Sequence, residues 1–283
     1  VQDYESFEVV VSDNASTDGT ESIVREFERL DPRFRFFGNE VNVGQIENFN
    51  LAFERSRGEY FRWIGCDDWL EPHYTRRCVE TLDRNPRAVG VLTLWNLIDE
   101  KGNVKVASRH PPLVDSEDPR ERVRGALCCM ERPREEWDPI YSMLRRSVLE
   151  RTGLLPLERF TDMVLALILS IEGPFCTVPE VLASRRNTYD EETVEEIVRR
   201  FHTDAEAWVK QGRAHRYLAF LRTVRQRSPG TAESILWSEL VVRAFVVAIA
   251  SRAARRLYGA GRRRLAKLAR ASIGVMDRAE RRT

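Results

Sequence analysis

Residues 7–20 read FEVVVSDNASTDGT. An apolar run closes on Ser12-Asp13, a cluster of turn-forming residues follows, and Ile23, Val24, Phe27 and Leu30 then recur at helical spacing. The consecutive valines predict a strand buried on both faces, as in a parallel sheet. Strand, polar loop and helix in that order, with Asp13 at the carboxyl end of the strand, form the opening unit of an α/β fold.

Outward from this unit the alternation continues. A short strand at 34–37, a loop at 38–44 and a helix over about 45–57 with Gly58 as its stop are predicted. A second buried strand, Tyr60 to Ile64, is expected to run directly into Gly65-Cys66-Asp67-Asp68. The fold class is therefore α/β: a Rossmann-like, mostly parallel sheet flanked by helices, with its ligand site beyond the carboxyl ends of the strands. Asp13 and the pair Asp67-Asp68 are both placed at such ends. Downstream, the pattern predicts a helix at 73–85, a strand at 89–97, a hairpin turn at Asp99–Asn103 and mixed helix and loop from 111 to 139. A short strand at 141–144, helices at 147–152 and 162–172, and an extended segment at 177–186 follow. From Glu191 the pattern is almost wholly helical, which sets a boundary near residue 190 between an α/β domain (1–190) and a helical region (191–283).

Composition narrows the classes. With 42% hydrophobic and 31% charged residues, the 283-residue chain reads as globular rather than disordered or fibrous. A net charge of +1 argues against a nucleic-acid binder. The five cysteines have no CxxC spacing, and the four histidines are scattered, so neither a zinc site nor a catalytic triad is indicated; reduced thiols and a cytoplasmic setting are expected. Walker-type and dinucleotide-type glycine loops are lacking, which removes the usual grounds for ATP hydrolysis or hydride transfer.

Two adjacent carboxylates at the end of an apolar segment make a hard-oxygen site suited to Mg²⁺ or Mn²⁺. The plainer alternative is that Asp67 and Asp68 cap the helix that follows. Further motifs bear on the choice. VVVSDNASTDGT (9–20), Asn42-Val43-Gly44, Asn50 in the next helix, Gly58-Glu59-Tyr60 and then Asp67-Asp68 stand in order. Together they resemble the family 2 glycosyltransferases of the GT-A type over most of residues 1 to 190.

The resemblance implies inverting transfer of a sugar from a nucleoside-diphosphate donor to an acceptor hydroxyl. It places Asp13, with Asn14 beside it, at the nucleobase, where a carboxylate accepts from an imide N–H and so favours UDP- or dTDP-linked sugars. It makes Asp67 a contact to donor ribose or to metal-bound water, and Asp68 the metal ligand. Phe160-Thr161-Asp162-Met163 matches the segment that carries the general base, making Asp162 the group that deprotonates the acceptor; an N-capping role with Thr161 is the alternative. Val178 to Leu182 followed by Arg185-Arg186 matches a segment whose guanidinium meets the diphosphate, with the choice between the two arginines open. Three departures stand out: Gly65 where many members have Asp, Phe49 where many have Arg, and no counterpart of the first strand and helix that members carry ahead of this sequence. From the last, an exposed central sheet edge and poor stability are expected.

Residues 235–257 join an apolar run to Arg243, Arg252, Arg255 and Arg256, and 262–267 adds further cations. Such a basic amphipathic segment can lie on an anionic membrane and bring the protein to a lipid-linked acceptor at the inner face; it can equally pack on the α/β domain. A saccharide or lipid-linked acceptor is thus expected. Nucleotidyl transfer, or a degenerate domain that only binds, are the competing readings.

Overall fold

The computed structural model describes residues 2–109, 113–130, 139–156, 160–186, 213–247 and 249. The expected boundary near 190, the basic segment from 253 to 282 and the stretch 131–138 lie outside these. Two compact units are distinguished, Val1–Leu240 and Val241–Thr283.

In the first unit β1 (Val9–Asp13), α1 (Thr20–Leu30) and β2 (Phe34–Gly38) form the expected opening, with β1 and β2 paired in parallel from Val9–Phe34 to Asp13–Gly38. Then come α2 (Gln45–Arg55), β3 (Tyr60–Phe61), β4 (Trp69–Leu70), α3 (Tyr74–Arg84), β5 (Gly90–Ile98) and β6 (Val104–Ala107). After α4 (Pro119–Met130) and a 3₁₀ turn (Pro139–Tyr141) follow β7 (Met143–Arg145), α5 (Arg146–Thr152), α6 (Thr161–Glu172), β8 (Phe175–Arg186) and α7 (Arg213–Arg227). The larger sheet runs β3-β7-β5-β8-β4, with β6 on β5. Parallel pairing holds β5 to β8, whereas β3, β4, β6 and β7 pair antiparallel, so this sheet is mixed.

Two expectations change. β1 is only half-buried along its length, because its ladder has β2 as a neighbour and joins no other strand among the described residues. On α1, Ile23, Phe27 and Leu30 are exposed although they share its apolar stripe. Secondly, only Tyr60 and Phe61 of the predicted 60–64 strand are in the ladder, against Arg145 and Leu144 of the three-residue β7. The partner strand runs out, and residues 62–66 leave the sheet, so the acidic pair sits in a turn between β3 and β4 rather than at the tip of a long strand. The hairpin at Asp99–Asn103 forms as read: Gly102 takes φ +84, and the Asp99 carboxylate accepts from the N–H groups of Lys101 and Asn103.

The core follows from strand alternation. Leu92 of β5 joins Phe53, Trp63, Leu144, Leu149, Leu165 and Phe175 on one side, and Val91 joins Tyr74, Cys78, Leu82, Val178 and Leu182 on the other. Helix α6 is buried from Val164 to Ser170, as its nearly all-apolar sequence demands. Buried Arg122 ties α4 to the end of α6: its Nε donates to Ser170 O at 2.8 Å and its guanidinium also reaches the Ser116 and Glu117 carbonyls. Opposite β5, β8 bulges around Pro179-Glu180 between the pairs Thr93–Val178 and Leu94–Val181, which accommodates a proline that has no N–H to give.

Candidate active site

The end of β1 is braced by a polar network drawn from separate elements. Ser12 Oγ donates to Asn48 Oδ1 at 2.7 Å and accepts from Arg55 at 2.8 Å; Asn48 Nδ2 returns a bond to Ser12 O. Arg55 also reaches Asn39 Oδ1, and Asn39 Nδ2 donates to Asn48. Asn14 donates to Asn42 Oδ1 at 2.8 Å and accepts from the Val43 N–H at 2.9 Å. Its side chain therefore fixes the Asn42-Val43-Gly44 loop. Asp13 caps the turn it begins, its Oδ2 accepting from the Ser16 N–H at 3.0 Å, while Asn39 N–H bonds its carbonyl. Asp13 thus initiates a turn, with one carboxylate oxygen used.

Both acidic side chains lean over Gly65. A Cβ added there would stand 2.9 Å from Asp67 Oδ1 and 3.2 Å from Asp68 Oδ2, so the residue that departs from the family pattern is also the one that leaves room for the pair. The Asp68 N–H closes the turn on Gly65 O. Asp68 is deeply placed, its side chain 6% exposed, with Arg185 Nε 4.0 Å from its Oδ2. Burial pushes its carboxyl above the ordinary range and Asp67 pushes the same way, while Arg185 and Arg62 pull against them.

Strand register explains the partner. In the antiparallel β4–β8 pair Trp69 faces Ser184, so one step further Asp68 comes opposite Arg185. Adjacent strand residues point to opposite faces. Arg185 is the arginine that stands beside Asp68; Arg186 has its Nε buried without a hydrogen-bond partner. Trp95 of β5 pairs with Ala183 and Leu97 with Arg185, which makes Trp95 a same-face diagonal neighbour of Arg185. The guanidinium lies 5.3 Å from the Trp95 ring centre and 4.1 Å from that of Tyr141.

Asp162 stands in the first turn of α6, behind Phe160, which takes φ +66 at the N-cap. The N-cap residue makes no side-chain cap hydrogen bond, and Thr161 Oγ1 is buried without a partner. Asn50 anchors the chain leading there by a two-way bond with Leu155.

Arg62 is the residue that sequence reasoning passed over. Its guanidinium lies 4.4 Å over the ring of the buried Tyr74, and its Nε is buried and unpartnered. A lone cation inside the apolar stretch Tyr60–Ile64 was the available signal. Among the described residues no three His, Cys, Asp or Glu side chains gather as a protein-only cation cage. Two hard carboxylates on an open turn nevertheless suit a divalent cation that takes its remaining oxygens from substrate and water.

Residues 1–152 match the family described as Glycosyl transferase family 2, more than half the chain. The chain belongs to glycosyl transferase family 2. Relatives of this family 2 member include an uncharacterised glycosyltransferase of Haemophilus influenzae, 31% identical over 35% of this chain and 31% of that one. The putative teichuronic acid biosynthesis glycosyltransferase TuaG of Bacillus subtilis is 34% identical over 30% of this chain and 34% of its own length. The matched region thus spans about a third of these relatives. Among solved structures, S. aureus TarS 1-349 superposes with a TM-score of 0.57 at 15% identity, covering 86% of this chain and 64% of that one. The same protein in complex with UDP-GlcNAc gives 0.53, covering 86% and 74%. These likenesses establish the GT-A fold for the family 2 chain.

Proposed function

We propose that the chain transfers a glycosyl group, with inversion, from a UDP- or dTDP-linked sugar to a hydroxyl of a saccharide or lipid-linked acceptor in cell-envelope polysaccharide or glycolipid synthesis. The observation that carries this is the convergence of Asp67 and Asp68 on Gly65 with Arg185 across from Asp68. Family membership, the UDP-GlcNAc complex of TarS and the teichuronic acid biosynthesis in TuaG's name support it.

Asp13 accepts from the base imide through its free oxygen, on a turn that Asn14 and the Ser12–Asn48–Arg55 network keep rigid. Arg185 offers its guanidinium to the diphosphate, as a planar bidentate donor. Asp68, with Asp67 as the less direct contact to water or ribose, would hold Mg²⁺ or Mn²⁺, which supplies charge neutralisation for the leaving diphosphate. Asp162 takes the proton of the acceptor hydroxyl as that oxygen bonds to the anomeric carbon and the bond to the diphosphate breaks. One displacement needs one base.

Replacing Asp162 by Asn tests the scheme: donor binding should survive while transfer falls about 100-fold or more. Wild-type turnover in that variant would remove Asp162 from the reaction. Peripheral membrane contact belongs to the same reading. In the second unit, Val242, Val246, Val247 and Ile249 are exposed, and no helix among the described residues is long and apolar enough to cross a membrane. Sedimentation with anionic vesicles should distinguish the whole chain from one ending near residue 230.

A further inference from the structure

Asp68 is an enclosed carboxylate, its side chain 6% exposed, and the group lying across from it is a cation. Arg185 Nε stands 4.0 Å from Asp68 Oδ2, close enough to offset much of the carboxylate's charge but too far for a direct hydrogen bond. The guanidinium is held there from the sides. Tyr141 lies at 4.1 Å and Trp95 at 5.3 Å, on the 3₁₀ turn and on β5, and β8 fixes the stem through its pairing with Leu97. Arg62, in the segment that follows β3, contributes a second positive charge acting on Asp68. The acidic turn therefore carries two carboxylates and two built-in cations. A third positive group entering alone, a bare divalent ion, would meet a carboxylate that already has a cation beside it.

A nucleoside diphosphate changes that balance. Its phosphates give a guanidinium a bidentate partner better matched than a carboxylate 4.0 Å away, and they bring negative charge to the turn at the same time. We infer that Arg185 is an internal counterion that bars Asp68 to a free divalent cation and releases it when a nucleoside diphosphate arrives, so that cation and donor are taken up together. This rests on the glycosyl-transfer reading of the site. Tyr141 and Trp95 are positioning residues in this scheme: they hold the guanidinium beside Asp68 and give it a stacked face that survives the change of partner.

Manganese binding to the intact chain, read from the electron paramagnetic resonance signal of free Mn²⁺, tests the inference without any turnover. Four proteins are compared with and without UDP: wild type, Arg185→Gln, Arg185→Met and Asp68→Asn. Wild type should bind Mn²⁺ weakly alone and much more tightly with UDP. Arg185→Gln should bind Mn²⁺ alone about tenfold more tightly than wild type, because a full charge has left Asp68. By linkage, the enhancement that UDP gives should shrink by a comparable factor. Should the glutamine variant fail to fold, Arg185→Met keeps the packed stem and carries the same expectation. If Asp68→Asn abolishes binding while both Arg185 variants match or fall below wild type without UDP, the site is real and the counterion role is overturned. If Asp68→Asn binds Mn²⁺ as wild type does, with and without UDP, the acidic pair is no cation site and the underlying reading fails with it.

Discussion

Asn50 and Leu155 exchange two hydrogen bonds across the fold, Asn50 Nδ2 donating to Leu155 O at 3.0 Å and the Leu155 N–H donating to Asn50 Oδ1 at 3.1 Å. An asparagine is the one side chain of that length that carries both a donor and an acceptor at its tip. The bond pins to α2 the segment that leads into the helix bearing Asp162.

Replacing Asn50 by Ala should lower stability by about 1 to 3 kcal/mol, since two backbone groups lose their partners. Equilibrium urea unfolding checks the magnitude. Asn50→Asp should recover only part, because it keeps an acceptor for the Leu155 N–H and sets a second acceptor against the Leu155 carbonyl. A loss equal to that of alanine would show that the acceptor half contributes nothing.

Gly44 sits at φ 88 and ψ 161 at the start of α2, in a region open to glycine and closed to other residues. Gly44→Ala should cost roughly 1 to 3 kcal/mol of strain, and it should displace the Asn42 and Val43 groups that Asn14 holds. The expected signature is a weaker affinity for UDP with the cation affinity of the acidic turn unchanged, measured by calorimetry. Unchanged UDP affinity would separate this loop from the donor.

Acid should unfold the chain partly through Glu8. Burial pushes its carboxyl upward, but the ion pair with Arg35 at 2.7 Å and the N–H groups of Arg57 and Gly58 outweigh it and hold the group below its ordinary value of 4.5. A depressed value in the folded state means that the stabilisation is complete above the unfolded-state value and is lost as pH falls through the folded one. Glu8→Gln should therefore be less stable than wild type near neutrality and converge with it in acid below 4.5. Parallel stability curves for the two proteins, down to pH about 3, would refute the linkage.

Cys66 is exposed in the turn between Gly65 and Asp67, and Cys128 is the other exposed thiol among the described residues. Burial pushes the Cys78 thiol up to about 12 and the Cys176 thiol to about 11, so neither forms appreciable thiolate near neutrality. In a Cys128→Ser background, maleimide should label one fast site, Cys66, and UDP with Mn²⁺ should slow that labelling. Labelling that ignores both ligands would place the donor away from this turn.

Much of the fold is legible in residues 7–20 and 58–68 because apolar runs, turn clusters and helical spacing are local properties. What was misread depends on neighbours. The valines of β1 are apolar enough for an enclosed strand, yet burial is set by how many strands flank it, and among the described residues β2 alone does. Tyr60–Ile64 has the composition of a five-residue strand, but β7 supplies a partner for only its first two residues. The candidates Asp13, Asp67, Asp68 and Asp162 were nameable from type and order, whereas the network of Ser12, Asn39, Asn48 and Arg55 was not. Its members come from β1, the residue after β2 and α2, and each is unremarkable by itself. The burial of Arg62 over Tyr74 likewise exists only once α3 is folded against β3.

The bulge at Pro179-Glu180 works as a vernier. Between the pairs Thr93–Val178 and Trp95–Ala183, β8 spends more residues than β5, and that surplus sets the parity with which the strand reaches its end. Two arginines follow each other there, one on each face, and parity alone decides which of them meets Asp68. Deleting a single residue at the bulge would bring Arg186 to the station opposite Asp68 and turn Arg185 to the other face. Chain length in a remote kink is thereby one of the site's specifications.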